Sequence, residues 1–375
     1  MKTYKFKLYE SRKNRYLKRV INASASIYNH CIALFKRYYR MFKKHLNHFR
    51  LMKHIAKLRN RNNYWKLVGS QVVQDIIQRI KKAYDLFFNH HKRGVRPPGF
   101  KKVKKYKSFT LKQAGYKFLG GNRIKIIGRL FKFAKSREIQ GKIKTLTVKR
   151  NYLGELFIQI VTDYTEESCG VVTGKIAGFD FGLKTFLTVD DGTEIQSPLF
   201  FNQSRNKLKY ANRNLSRKEK NSRNWYKAKY ALNRVDEATT NKRKDWFGKL
   251  ANDLTNKYDV LIFETLNLAA MKRLWGRKIS DLAFRTFLNI LEVVASKKGK
   301  IVHYIDKFFP SSRICFHCGY KNQELELKDR FWDCPNCKKS IQRDLNAARN
   351  IKRVGASTLR LEDVRLPMGA ILARA

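Results

Sequence analysis

Apolar and polar positions recur along this chain with two different periods, and the places where the period changes divide it. Residues 2–9 alternate one for one, as an edge strand does. The period then lengthens: Leu17, Val20, Ile21, Tyr28, Cys31, Ile32, Phe35, Tyr39 and Phe42 fall at helical spacing, with Lys and Arg at most positions between. A shorter basic helix is expected over 47–62. Another is expected over 70–90, where Val73, Ile76, Ile77, Ile80, Tyr84 and Phe87 form one stripe. Arg96-Pro97-Pro98-Gly99-Phe100 ends the helical pattern. Short strand-like runs follow around 107–112, 116–119, 122–127, 129–134, 143–149 and 155–163, with turns at Gly120-Gly121 and at 151–154. These runs predict a small β-barrel that the strand at 2–9 joins, so that the helices are an insertion.

The pattern changes again near 172. Ile176-Ala177-Gly178-Phe179-Asp180 reads as a buried strand, and 184–189 pairs with it through a turn at Gly182. Asp191-Gly192 signals a hairpin. A basic, largely helical stretch covers 201–257. Val260-Leu261-Ile262-Phe263-Glu264 is a second buried strand, followed by a helix over 279–297 and a strand over 300–305. The order strand hairpin, helix, strand, helix, strand predicts an RNase H-like α/β core. Past 354 the chain reads as a tail.

Charge narrows the function. The 375 residues carry 82 Lys and Arg against 29 Asp and Glu, a net +53. Before Glu138 the acidic residues are Glu10, Asp75 and Asp85 alone. A surface built only for solubility mixes signs; this one attracts polyanions. A ribosomal or membrane-surface role is the bland alternative, and a nucleic-acid role, with RNA foremost, is favoured. Lys105-Tyr106-Lys107-Ser108-Phe109 interleaves cations with rings, as stacking surfaces do, though such rings also fill barrels. The start of the chain lacks an apolar targeting segment, and no run approaches the ~18 apolar residues of a membrane span. A cytoplasmic protein is expected. Cys31 and Cys169 are expected to be ordinary buried thiols.

Two constellations carry chemistry. Cys315-x-x-Cys318 and Cys334-x-x-Cys337, with fifteen residues between the pairs, have the spacing of a tetrahedral zinc ribbon. Four cysteines leave no open position, so this zinc is structural. Asp180 and Glu264 end the two apolar strand runs, and Asp344 follows the ribbon by seven residues. Phosphodiester cleavage by two magnesium ions needs convergent acids on a first strand, a neighbouring strand and a helix against the sheet. Taken singly, Asp180 can close a turn, Glu264 can pair with Lys272, and Asp344 can cap its helix. Asp180-Phe181-Gly182 also spells the kinase D-F-G, but no Gly-rich loop or H-R-D accompanies it. The order Asp, Glu, Asp is that of RuvC-type resolvases rather than of DDE transposases.

The chain resembles the TnpB (OrfB) family, the transposon-encoded relatives of type V CRISPR effectors. The residues that carry the likeness are Gly178-Phe179-Asp180-Phe181-Gly182, Phe263-Glu264-Thr265-Leu266-Asn267-Leu268, Asp306-Lys307-Phe308-Phe309-Pro310-Ser311-Ser312-Arg313, Cys-x-x-Cys-Gly, and Arg343-Asp344-Leu345-Asn346-Ala347-Ala348. The resemblance implies a wedge-type barrel at 1–10 and 94–171, a helical recognition lobe at 11–93, a RuvC-like nuclease at 172–312 and 341–353, a zinc ribbon at 313–340 and a tail at 354–375. It implies an RNA-guided DNA endonuclease in a single copy, bound to a guide RNA from the transposon end. This protein would read a short target-adjacent motif and cut double-stranded DNA with two magnesium ions at Asp180, Glu264 and Asp344. Gln342 departs from the Asp, and Arg313 from the Lys, that the family often carries. The segment from Asn267 to Ile279, with Lys272, Arg273, Arg277 and Lys278, is either a lid over the site or a plain surface loop. The rival readings are a guided repressor or zinc-ribbon RNA-binding protein without cleavage, and a strand-transferring transposase.

Overall fold

The computed structural model describes residues 1–165, 173–326 and 328–359, without the side chains of residues 269, 272 and 277. The chain divides into two compact units, Met1–Glu166 and Glu167–Ala375.

In the first unit, β1 (Lys2–Lys7) is followed by α1 (Asn14–Phe42), α2 (His48–Arg61), the single turn α3 (Asn63–Lys66) and α4 (Ser70–His90). Six strands come next: β2 (Ser108–Leu111), β3 (Tyr116–Phe118), β4 (Arg123–Ile126), β5 (Arg129–Lys132), β6 (Ile143–Arg150) and β7 (Leu156–Thr162). They form two antiparallel sheets, β1-β7-β6-β2 and β3-β4-β5. A bridge between Leu8 and Phe133 joins the sheets at one corner. β1 lies antiparallel to β7 in the register Tyr4 to Ile160 and Phe6 to Ile158, so four helices intervene between the first strand and the rest of its sheet. Period-two alternation explains which face is covered: Tyr4, Phe6, Leu8, Leu146, Val148, Ile158 and Ile160 are all buried, while Lys5 and Lys7 face water. The helical stripes of α1 and α4 close over the same core. Cys31 is buried there as expected, and burial pushes its thiol up to about 12. Cys169 lies outside the described residues.

In the second unit, β8 (Ile176–Asp180), β9 (Leu187–Val189) and β10 (Glu194–Ile195) precede a long hairpin of α5 (Phe200–Ser216) and α6 (Arg223–Lys257). Then come β11 (Val260–Glu264), α7 (Leu268–Leu282), α8 (Phe284–Lys297), β12 (Ile301–Ile305), β13 (Phe331–Asp333), β14 (Ser340–Gln342) and α9 (Arg343–Thr358). The main sheet runs β10-β9-β8-β11-β12, with β8, β11 and β12 parallel, β9 antiparallel to β8, and β10 antiparallel to β9. β8 and β11 are covered on both faces, which is why their sequences are continuous apolar runs. On one face Phe179 and Phe263 stack at 4.8 Å within a cluster that holds Phe181, Phe186, Phe247, Phe284 and Phe287. On the other, Val260 and Ile262 pack against Ile351 of α9.

Two expectations change. The segment after Glu264 is not a plain loop but helix α7, with one non-helical residue at Trp275. Leu268, Met271, Trp275, Ile279 and Leu282 recur every three or four residues and pack into the aromatic cluster, which fixes it as a helix. The side chains of Lys272 and Arg277 lie outside the described residues. The tail expected from 354 begins later, because α9 continues to Thr358 with Gly355 buried against the sheet. Residues 360–375 lie outside the described residues.

The edge of the parallel strands is pinned by a buried ion pair. The Asp259 carboxylate accepts from Lys300 Nζ and from the backbone N–H groups of Thr173 and Gly174. Both charged side chains are almost fully enclosed. Burial alone would raise the Asp259 carboxyl, but Lys300 and the two N–H groups outweigh it and hold it below the usual range. A depressed carboxylate contributes stability above its unfolded pKa, and that stability is lost as pH falls through the folded pKa. Asp259→Ala is expected to cost about 3–5 kcal/mol at neutral pH, since it strands a buried ammonium. Denaturant unfolding across pH checks this: the gap from wild type should narrow in acid.

Candidate functional site

The strand period that buries Phe179 and Phe263 on one face sends Asp180 and Glu264 to the other. Asp180 is two residues beyond Gly178, and Glu264 two beyond Ile262. Gly178 and Ile262 face each other in the β8–β11 register, so both acids reach the ends of adjacent strands on the face covered by α9. Helix α9 lies unusually close. A Cβ at Gly178 would stand 2.2 Å from the Ala348 carbonyl oxygen and 2.6 Å from the Lys352 nitrogen. A Cβ at Gly355 would stand 2.3 Å from Ile262 Cγ2. Ala348 therefore sits over Gly178, and Asp344 lies one helical turn, about 6 Å, back from Ala348. Asp180 lies about 6.6 Å along the strand from Gly178 in the matching direction.

The electrostatics record the convergence. The Asp180 carboxyl is raised well above its ordinary range, first by burial, then by the Glu264 and Asp344 carboxylates, with Arg343 and the Phe181 N–H acting against them. Burial raises Glu264 as well. All three acids keep partial access to solvent. Among the described residues the three carboxylates do not bring their oxygens all within 4.8 Å of one another; the four cysteine sulfurs do. Asp344 sits in the first turn of α9 but does not cap it. Its Oδ2 instead accepts from Arg330 Nη1 at 2.7 Å.

The ribbon supplies that arginine. Its two knuckles repeat one pattern: Gly319 N–H donates to Cys315 O and Lys338 N–H to Cys334 O, with positive φ at Gly319 and Lys338. Cys315 and Cys337 sulfurs lie 3.7 Å apart, and Cys318 and Cys334 sulfurs 3.5 Å. Tetrahedral thiolates about 2.3 Å from zinc stand about 3.8 Å from each other, so this cage fits the ion. Burial pushes the Cys315 thiol up to about 12. The Tyr320 N–H leads in pulling Cys318 down to about 6. On α9, Asn346 and Asn350 are buried and tie the helix to the ribbon's stem: Asn346 accepts from Phe316 N and donates to Ile314 O, and Asn350 donates to Ser311 O and Ile314 O.

Several supporting residues escaped the sequence reading. Asp190 follows β9 and locks strand to helix: Oδ1 accepts from Gly178 N at 3.0 Å, Oδ2 from Lys352 Nζ at 2.7 Å, and its carbonyl from Arg349 Nε. Arg330, Asn346, Asn350 and the clearance at Gly178 and Gly355 complete the frame. The glycines and asparagines were visible, but the helix, strand and ribbon stem that they meet lie thirty or more residues away. Gln342, which departs from the expected acid, donates to Glu194.

Comparisons with known proteins agree with this frame. The family OrfB_IS605, described as "Probable transposase", matches residues 159–274, and the Cas12f1-like TNB domain matches 284–351. A protein of Streptomyces pristinaespiralis, named as a candidate RNA-guided DNA endonuclease, is 34% identical over 214 residues, 56% of this chain and 52% of its own length. InsQ of Escherichia coli strain K12, named likewise, is 23% identical over 364 residues, 92% of this chain and 89% of its own. A TnpB-like protein of Acanthamoeba polyphaga mimivirus is 28% identical over 56% of this chain and 43% of its own. The chain thus spans about half the length of two of these relatives. Among solved structures, a Cas12f1–sgRNA–target DNA complex matches with a TM-score of 0.57 at 15% identity, covering 90% of this chain and 82% of that one, a likeness of fold. The two family models together span the strands, the ribbon and the first half of the helix that carry the three acids, and the chain is similar to members of the TnpB (OrfB) family.

Proposed function

We propose that this protein is an RNA-guided DNA endonuclease whose cutting centre is Asp180, Glu264 and Asp344. The observation that carries the reading is the convergence of three half-buried carboxylates, from two strands and one helix, on a single face. Their mutual repulsion in a partly dry site is relieved by hard divalent cations, and oxygen donors are what magnesium prefers. Three convergent acids are the donor set that two-metal phosphodiester cleavage uses. When bound, two magnesium ions would activate water and stabilise the leaving oxygen of a phosphodiester.

The chain's own residues do the rest. Asp180, at the centre of the group, is oriented by the Phe181 N–H. Arg330 holds the Asp344 carboxylate at the ribbon-facing side and places a cation where a DNA phosphate would arrive. In this reading the second unit is a RuvC-type nuclease with an inserted zinc ribbon. The first is a wedge-type barrel with a helical recognition lobe at 11–93, built to hold the guide RNA by its phosphates. Pairing of RNA to one strand would read the target, beside a short motif read by the protein. A single copy working in the cytoplasm suffices. Among the described residues no helix is long and apolar enough to cross a membrane.

Purifying the protein with its co-expressed RNA, sequencing that RNA and adding matched plasmid tests the proposal. Linear product should require both magnesium and the guide. Joined strands instead would indicate a transposase, and binding without cutting a guided repressor; either overturns the proposal. The Asp190 lock supplies a finer prediction. Asp190→Ala frees α9 from β8 and is expected to slow cutting about a hundredfold, as ångström misplacements do. Asp190→Asn keeps an acceptor for Gly178 and should fall between, in single-turnover assays across magnesium concentration.

A further inference from the structure

The first unit holds a cleft of about 400 Å³ between the last turns of α1 and the start of α2. Its chemistry is divided. Leu34, Leu46 and buried Leu51 are among its apolar residues, and Tyr38 and Phe42 line it with ring centroids 4.7 Å apart. Arg37 and Arg50 also line it, and both are exposed to solvent. Phe42 is 54% exposed, beside Tyr39 and Met41, which are also exposed on the last turns of α1. From Ser11 to Gln74 the chain contains no Asp or Glu, so nothing acidic on α1 or α2 answers these arginines.

A ligand must satisfy both halves. A bare phosphate would pair with the arginines and leave the leucines and rings wet. A purely apolar side chain would cover the leucines and desolvate two cations without partners, which is costly. A nucleotide turned out of its stack presents a flat ring to Tyr38 and Phe42 and a phosphate to Arg37 and Arg50. We infer that this cleft binds an unstacked nucleobase of single-stranded RNA. The inference rests on the proposed function in one respect: RNA is there the constant partner, and so the source of the base. It assigns that base to a defined pocket in the helices, separate from the cutting centre.

The test uses the full-length protein and three labelled eight-nucleotide probes: single-stranded RNA, DNA of the same sequence, and an RNA backbone of the same length without bases. Fluorescence anisotropy at fixed salt should show RNA bound at least about tenfold tighter than the baseless backbone, the scale of one stacked base. Tyr38→Ala combined with Phe42→Ala should erase most of that ratio and leave affinity for the baseless backbone unchanged. Arg37→Ala should weaken RNA and the baseless backbone together. Both aromatic positions lie at the surface, so circular dichroism should show an intact fold. Equal binding of RNA and baseless backbone overturns the inference, as does an unchanged ratio in the aromatic double variant or stronger binding of DNA than RNA. Guided plasmid cutting, measured separately, keeps failure of the pocket distinct from failure of the nuclease reading.

Discussion

Asp180→Asn should stop DNA cutting while making the metal-free protein more resistant to heat. The two effects share one cause. Asp180 is pressed between Glu264 and Asp344 in a partly dry site, where burial and both carboxylates oppose its ionised form. Neutralising it removes the repulsion among the three carboxylates and, in the proposed reading, the central donor for the cations. Cutting is expected to fall by about three orders of magnitude or more, equivalent to ~4 kcal/mol of transition-state stabilisation. Magnesium should raise the melting temperature of the wild type and leave that of the variant nearly unmoved. Calorimetry with and without magnesium, beside single-turnover cutting, checks both halves. Cutting at the wild-type rate would remove Asp180 from the reaction.

Cys334→Ser should have the largest structural effect. Cys334 is fully buried, and its sulfur faces Cys318 at 3.5 Å. Zinc binding in such a ribbon is worth on the order of 10 kcal/mol, and without the ion the ribbon keeps only the small cluster of Leu325, Trp332 and Ile341 beside its cysteines. Loss of the ribbon withdraws Arg330 from Asp344 and the carbonyls that Asn346 and Asn350 hold. Zinc content, measured by atomic emission, should drop from about one ion per chain to near zero. Cutting should vanish with it, while RNA binding by the first unit persists. A variant that keeps its activity would show that the ribbon is dispensable for the acids.

Much of this was legible because the periods are long and clean. Tyr4, Phe6 and Leu8 gave the first strand, and the Leu17-to-Phe42 stripe gave α1 nearly to its ends. The acids stood out because they are scarce: Asp180 and Glu264 each end a buried run, and Asp344 opens the helix after the ribbon. The fate of 267–279 was not. Gly276 and the basic residues around it read as a lid or a surface loop, and only the packing of Met271, Trp275 and Ile279 into the aromatic cluster makes the helix visible. Arg330 and Asp190 were hidden for another reason. Spacing tells which face of an element a residue occupies, but not which distant chain crosses that face. The first unit's strands were placed almost residue by residue, yet their division into two sheets follows from pairing that no local pattern encodes.

The clearance at Gly178 and Gly355 bears on how relatives of this protein should be judged. A single methyl at either position would force α9 or its contacts on the sheet to shift, and in the proposed reading would disturb the placement of Asp344, with no acid lost and no charge altered. Descendants can therefore fall silent through changes that an inventory of carboxylates would score as intact. Telling a live nuclease from a retired one requires inspecting two hydrogen atoms on the backbone as carefully as the three side chains they admit.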